Sequence, residues 1–264
     1  MRKPSVLIKG AGDVATGVAY ILNQEGMDIV MTEIDRPTTE RRGASFSETI
    51  YSNEITVDGL TAKKASYDNY VKVLEDGNIP VVVDPKTELL DKIKPEILVD
   101  AVMAKKNAGT KLTDAEIVIG LGPGFSAGKD AHAVIETCDG EDLGKAIYDG
   151  SSKPHTGIPC AIMDQTEERA LRAPESGKIK ALKKIGDHIE KGEAVAKIDG
   201  AEVIAKTSGV LRGIIKDDIY IEKNKKIGDI DPRDDPKYCF SIAERSIVIG
   251  LGVLKAIKEL RSKQ

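Results

Sequence analysis

The sequence predicts an α/β fold, with a Rossmann-like parallel-sheet domain followed by a small, internally duplicated all-β domain and a C-terminal helix. Three observations predict it. Continuous apolar runs of strand length alternate with helically spaced segments through the first half of the chain. A glycine motif sits directly between the first run and the first helix. The segment 169–233 matches itself at an offset of 32 residues.

Residues 5–9 (SVLIK) form an apolar run of strand length, and residues 14–24 follow with Val14, Val18, Ile21 and Leu22 at helical spacing. Residues 28–33 (DIVMTE), 79–84 (IPVVVD) and 97–100 (ILVD) are further strand runs, the last two preceded by polar helical stretches at 69–76 and 87–93. Apolar runs without polar alternation suit strands covered on both faces, which is the setting of a parallel sheet. Residues 116–120 (EIVIG) and 131–136 (AHAVIE) add strand content with less helix between them. The stretch 151–159 (SSKPHTGIP) reads as a loop. With its connector it closes the first domain, which is assigned residues 1–168.

The second domain, 169–233, is carried by the repeat. Ser176-Gly177 recurs as Ser208-Gly209, Ile189-Glu190-Lys191 as Ile221-Glu222-Lys223, Ile198-Asp199 as Ile230-Asp231, and Lys184 as Lys216. Two copies this short cannot each bury a core, but interlocked they can. The repeated half-barrel, with its IxKGE turn at 189–193, resembles the barrel-sandwich hybrid fold of biotinyl and lipoyl carrier domains. Such carriers hold their prosthetic group on a lysine at the hairpin tip between the halves. The equivalent turn here, Asp199-Gly200-Ala201-Glu202, has none, and the nearest are Lys197 and Lys206. Covalent biotin or lipoate is therefore not expected. Residues 234–264 are assigned to a C-terminal helix packing on the first domain. Its helical stretch is 241–261, with Ile242, Ile249, Leu254, Ile257 and Leu260 on one buried face. Gly250 and Gly252 within it either weaken the helix or mark close packing.

Composition narrows the function. The 39 basic and 43 acidic residues leave a net charge of -4, so no strong field is present to hold a nucleic-acid backbone. The three cysteines, Cys138, Cys160 and Cys239, are far apart and unpaired in pattern, implying neither a disulfide framework nor a zinc site. Met1-Arg2-Lys3-Pro4 leads into an apolar run too short for a signal segment, and no stretch reaches the ~20 apolar residues of a membrane span. A cytoplasmic protein that contacts neither nucleic acid nor membrane is expected.

Gly10-Ala11-Gly12-Asp13-Val14-Ala15 follows the first strand and opens the first helix, which is the GxGxxG/A pattern in its required setting. Gly10 permits a tight turn, Gly12 lets a pyrophosphate approach the backbone, and the small Ala15 lets helix and strand pack closely. Helix N–H groups, Asp13's among them, and the helix dipole favour the anion. Glu33 ends the second strand, placed to accept from ribose hydroxyls. The motif marks either a nucleotide-like site or a glycine turn that has lost its ligand. Asp35, Arg36, Arg41 and Arg42 follow, as a forked phosphate clamp or as a solvated polar stretch. Gly120-Leu121-Gly122-Pro123-Gly124-Phe125 comes after another apolar strand, as an anion-binding concavity or as a structural turn. Asp100, Lys105 and Asn107 are expected at the same sheet edge. His132 reads as an acid–base group or as a satisfied core residue, and His155 is the more exposed candidate. No catalytic triad order, HExxH, paired-carboxylate or cysteine-nucleophile pattern occurs, so no catalytic residue and no metal ligand is assigned.

Residues 6–20 (VLIKGAGDVATGVAY), Met31-Thr32-Glu33, 118–125 (VIGLGPGF), 132–137, 155–159 (HTGIP), 228–232 (GDIDP) and the final helix together resemble one bacterial family. That family is the accessory protein of the selenium-dependent molybdenum hydroxylase system, related to xanthine dehydrogenase accessory factors. The resemblance spans essentially the whole chain. It implies a role in maturing a molybdenum hydroxylase, with molybdenum cofactor in its dinucleotide form, or NAD(P), bound non-covalently at Gly10, Gly12, Asp13, Ala15, Glu33, Gly120, Gly122 and Gly124. The implied partners are the apo-hydroxylase and its maturation proteins, and homo-oligomers are admitted. Residues 138–141 depart from the family pattern, which puts any sulfur- or selenium-carrying role of Cys138 in doubt. The alternative readings are an NAD(P)-dependent oxidoreductase and a scaffold with a vestigial nucleotide site.

Overall fold

The computed structural model describes residues 5–263; Met1 to Pro4, on which the reading of the chain start rests, and Gln264 lie outside the described residues. The chain divides into two compact units. One comprises Met1–Pro37, Ser45–Thr156 and Ile242–Gln264, the other Thr38–Ala44 and Gly157–Ser241.

In the first unit, β1 (Val6–Lys9), α1 (Asp13–Gln24) and β2 (Ile29–Glu33) are followed by α2 (Thr49–Ser52), β3 (Glu54–Val57), β4 (Leu60–Ala65), α3 (Tyr70–Glu75) and β5 (Ile79–Val83). After these come α4 (Leu89–Ile93), β6 (Ile97–Asp100), β7 (Ile117–Leu121), β8 (Ala133–Ile135) and β9 (Ala146–Ile147). They build a nine-stranded sheet in the order β3-β4-β5-β2-β1-β6-β7-β8-β9. The expected parallel sheet is corrected here to a mixed one. Strands β4 to β8 pair in parallel, but β3 pairs antiparallel with β4, and β9 antiparallel with β8. The cause at one edge is Asp58-Gly59, with φ of 47° and 82°, a two-residue turn that can only reverse the chain.

Leu7, Val30, Leu98 and Val118 pack in one cluster with Tyr70, Leu89 and Ile93, while the alternate residues Val6, Ile8, Ile97 and Val99 are equally buried. Both faces of the central strands are therefore covered. The C-terminal helix, Glu244–Arg261, lies close against α1: a Cβ on Gly250 would stand 2.9 Å from the Gly17 carbonyl oxygen. Strand β1 is flanked by β2 and β6, so the direction of strand addition reverses between β1 and β6. The ends of these two strands open the crevice where open α/β sheets hold ligands.

In the second unit, β10 (Ala170–Arg172), β17 (Lys226–Asp231), β15 (Gly209–Ile214) and β12 (His188–Ile189) form one antiparallel sheet. The other is β14 (Ala201–Ile204), β13 (Ala194–Ile198), β11 (Gly177–Ala181) and β16 (Tyr220–Ile221). The expected barrel-sandwich domain is corrected to these two separate four-stranded sheets. Pairing is too thin to close a single barrel: β12 and β16 are two residues long, and the register breaks at Leu171/Arg172, Ala194/Ala196 and Leu211/Gly213. A shift of 32 residues carries β10, β11, β12 and β13 onto β14, β15, β16 and β17, so the two sheets have the same strand order in repeat terms. A short helix, α5 (Lys237–Phe240), follows, and extended backbone at Ser241 separates it from the C-terminal helix. Among the described residues no helix is long and apolar enough to cross a membrane.

Candidate functional site at the β1–β6 edge

The first glycine loop turns off the end of β1. Gly10 has φ +88°, and a Cβ there would stand 2.9 Å from the Ala101 carbonyl oxygen, so both conformation and space demand glycine. Gly12 is the extended N-cap of α1 and supplies no side-chain cap. Asp13 opens the helix, and Ala15 is buried one turn in. Glu33 reaches this loop. Its Oε2 accepts the Ala11 amide at 2.9 Å and its Oε1 accepts the Ile34 amide at 2.8 Å. Burial raises its pKa, and the two amide bonds offset part of that rise. The Ala11 carbonyl in turn accepts the Ser47 amide at 2.7 Å, which pins the loop from its other side.

Of the residues expected at this edge, Asp100 ends β6 and Asn107 is tied to it through Thr110. Asp100 is buried and accepts the Thr110 hydroxyl at 2.5 Å, with the Lys9 ammonium at 3.1 Å. Asn107 accepts the Gly109 and Thr110 amides and donates to the Thr110 carbonyl, while Lys105 is exposed. The sequence reading passed over the apolar lip of this edge: Ile34, Val102 and Met103 are 42%, 47% and 38% exposed. It also passed over Lys9 and Thr110. The signal for Lys9 was a charge ending an otherwise apolar strand run.

At the second glycine motif each glycine admits a neighbour. The Phe125 ring covers Gly120. A Cβ on Gly122 would lie 2.5 Å from the Thr137 hydroxyl, and one on Gly124 would lie 2.7 Å from the Lys106 Cα. Beside it, buried Glu136 accepts the Thr137, Cys138 and Lys153 amides at 2.7–2.8 Å, a role the sequence did not suggest. The His132 Nδ1 accepts the Val118 amide at 2.9 Å, and burial lowers its pKa, which makes it a strand-pairing group. His155 is exposed in an irregular stretch. Arg41 and Arg42 belong to the second unit. There Arg41 donates to the Tyr238 and Ser241 carbonyls at 3.0 Å each, and Arg42 donates to the Ile214 carbonyl at 2.9 Å. Cys138 and Cys160 are half-buried; Cys239 is buried, and burial pushes its thiol up to about 11. Among the described residues no three His, Cys, Asp or Glu side chains group as a metal site.

No protein-family profile matches the chain. A curated relative, the uncharacterized protein YqeB of Escherichia coli K12, is 42% identical over 268 residues, covering 98% of this chain and 50% of the relative. The chain thus spans about half the length of the relative it matches. Among solved structures, an aspartoacylase family protein from Mesorhizobium loti is 9% identical with a TM-score of 0.28, covering 87% of this chain and 85% of that one. A succinylglutamate desuccinylase from Silicibacter sp. is 11% identical with a TM-score of 0.26, covering 86% and 84%. Likeness at that level carries no argument about fold or activity.

These comparisons correct the family resemblance. No family profile supports it, and the relative of high identity is described by neither molybdenum nor selenium. The maturation role and its alternative, an NAD(P)-dependent oxidoreductase, are withdrawn with it. The physical reason lies in what the shared motifs do. Residues 118–125 are a packing device around Phe125 and Thr137, and His132 is a backbone acceptor. Stretches that looked diagnostic of a pathway are explained by local structure.

Proposed function

We propose that the β1–β6 edge binds a ribonucleoside diphosphate moiety, with the diphosphate on Gly10–Gly12 at the start of α1 and the ribose on Glu33. The observation that carries this reading is the setting of Glu33. Each of its carboxylate oxygens is fixed by one backbone N–H, at 2.9 Å and 2.8 Å, at the lip of the glycine loop. A carboxylate oxygen has two acceptor positions, so each keeps one for a vicinal diol, and the side chain is already oriented. The uncapped end of a 12-residue helix attracts the anion. Ile34 on one side and Val102 with Met103 on the other offer apolar surface for a heteroaromatic base. Asp13, in the first helical turn, disfavours a very dense anion and suits a diphosphate better than a triphosphate.

Calorimetric titration with ADP tests this. Saturable binding by the wild type is expected. Gly12→Val should abolish it, and Glu33→Ala should weaken it about 100-fold, the loss of two hydrogen bonds to a charged group. The reading fails if ADP at millimolar concentration gives no heat, or if Gly12→Val binds as the wild type does. It fails in its ribose part if Glu33→Ala leaves the affinity unchanged.

A further inference from the structure

The segment 101–111 touches both glycine motifs. At one end the Ala101 carbonyl presses on Gly10, and near the middle the Lys106–Asn107 backbone presses on Gly124, where a Cβ would meet the Lys106 Cα at 2.7 Å. It carries Val102 and Met103, and Met103 is held at φ +58°, a conformation that β-unbranched residues adopt only when the surroundings impose it. At the throat of this segment lies a three-residue knot. The Lys9 ammonium donates to the Thr110 hydroxyl at 2.7 Å and stands 3.1 Å from Asp100. The Thr110 hydroxyl donates onward to the same Asp100 oxygen at 2.5 Å. The other Asp100 oxygen accepts the Val102 amide at 3.2 Å, so the knot reaches directly into the exposed part of the loop. The Lys9 and Asp100 side chains are 12% and 2% exposed, which makes the bonds hard to replace with water.

We infer that Lys9, Asp100 and Thr110 are positioning residues: their knot closes the 101–111 loop and so presents Val102 and Met103 to the ligand of the glycine site. Thr110 is the pivot, because it is the one group that both accepts from Lys9 and donates to Asp100. This rests on the nucleotide reading for what the loop touches, but not for whether the knot holds the loop.

Limited trypsin digestion of the full chain reads the loop through cleavage after exposed Lys105 and Lys106. Thr110→Val keeps the side-chain shape and removes both hydroxyl bonds. It should raise cleavage there about ten-fold, since bonds to charged groups are the stronger kind. ADP affinity should drop about five-fold, and Thr110→Ser should restore both to within two-fold of the wild type. A Thr110→Val protein cleaved at the wild-type rate overturns the inference. So does a Thr110→Ser protein that behaves like Thr110→Val. If Thr110→Val does not fold, hydrogen exchange on the wild type decides. The Val102 amide, which donates to Asp100, should exchange at least about 100-fold more slowly than the exposed Ala108 amide; equal rates overturn the knot. Failure of ADP to bind the wild type would sink the nucleotide reading alone, because digestion and exchange judge the knot without a ligand.

Discussion

The Lys223 amide donates to the Ser176 hydroxyl at 2.9 Å, and the same bond recurs 32 residues away, where the Lys191 amide donates to the Ser208 hydroxyl at 2.9 Å. Each bond joins one copy of the repeat to the other. The strands do likewise: β12 of the first copy pairs with β15 of the second, and β16 of the second pairs with β11 of the first. Neither copy owns a complete sheet, which is why neither can fold alone. Ser176→Ala should therefore destabilise by about 0.5–1 kcal/mol in urea unfolding, and Ser208→Ala by at least as much, because the Ser208 hydroxyl also donates to Glu190 at 3.0 Å. A silent member of the pair would show that the exchange is not symmetric in energy.

The exchange is symmetric in backbone but not in charge. Lys197 of β13 becomes Asp229 in β17, and Asp229 is buried with Arg169 and Arg212 on one carboxylate oxygen, Arg212 at 2.9 Å. Burial pushes this carboxyl up, but Arg212, Lys226 and Arg169 together outweigh it and hold it well below the usual carboxylate range. Asp229→Asn leaves Arg169 buried without its counter-charge. It should destabilise by about 3–5 kcal/mol, whereas the half-exposed Lys180–Asp217 pair, whose carboxylate also accepts the Ala181 amide that an asparagine oxygen can still take, should tolerate Asp217→Asn within about 1 kcal/mol. Equal costs in chemical unfolding would contradict this account.

Gly10 and Gly26 separate conformational strain from steric exclusion. Both have positive φ, +88° and +75°, but a Cβ on Gly26 meets nothing within 4 Å, while one on Gly10 meets the Ala101 carbonyl. Gly26→Ala should cost about 1 kcal/mol from backbone strain alone. Gly10→Ala must add the displacement of β6, and a loss of about 3 kcal/mol or more is expected, together with any ligand affinity at the loop. Thermal unfolding of the two variants side by side gives the comparison.

The central strands were legible because each is an unbroken apolar run, and covered strands have no polar face to confuse the pattern. Gly10 to Ala15 and Glu33 were legible because the chain order strand, glycine, helix, strand, acid is itself a geometric statement. The edge hairpin was not read, although Asp58-Gly59 is a strong turn signal, because its strands are short and only half of their residues are apolar, unlike the unbroken apolar runs of the central strands. Residues 38–44 carry no local mark of leaving the first unit. Glu40 pairs with Lys226, a residue 186 positions on, and no periodicity encodes such a contact. The second glycine motif shows the limit most plainly. Glycine records that a Cβ cannot be there, but not whether a phosphate or the Phe125 ring is the reason.

Two histidines of this chain should titrate in opposite directions. His188 is exposed and held between Glu190, at 3.0 Å from Nε2, and Asp234, at 2.8 Å from Nδ1; these bonds raise its pKa above 6.5. A base whose pKa is raised on folding stabilises the protein below the unfolded value, and the contribution is lost as pH rises through the folded one. His132 is the reverse. Burial lowers its pKa below 6.5, and its Nδ1 must stay unprotonated to accept the Val118 amide. Its contribution is present above the unfolded value and is lost as pH falls through the folded one. Histidine NMR titration should place the His188 midpoint above 6.5 and the His132 midpoint below it. His132→Asn should flatten the acid side of the stability profile, and His188→Gln should flatten the neutral to alkaline side. A His132 that protonates at its unperturbed value would mean that the β7–β8 pairing opens in solution, and the edge that carries Glu136 would then be far less rigid than its hydrogen bonds imply.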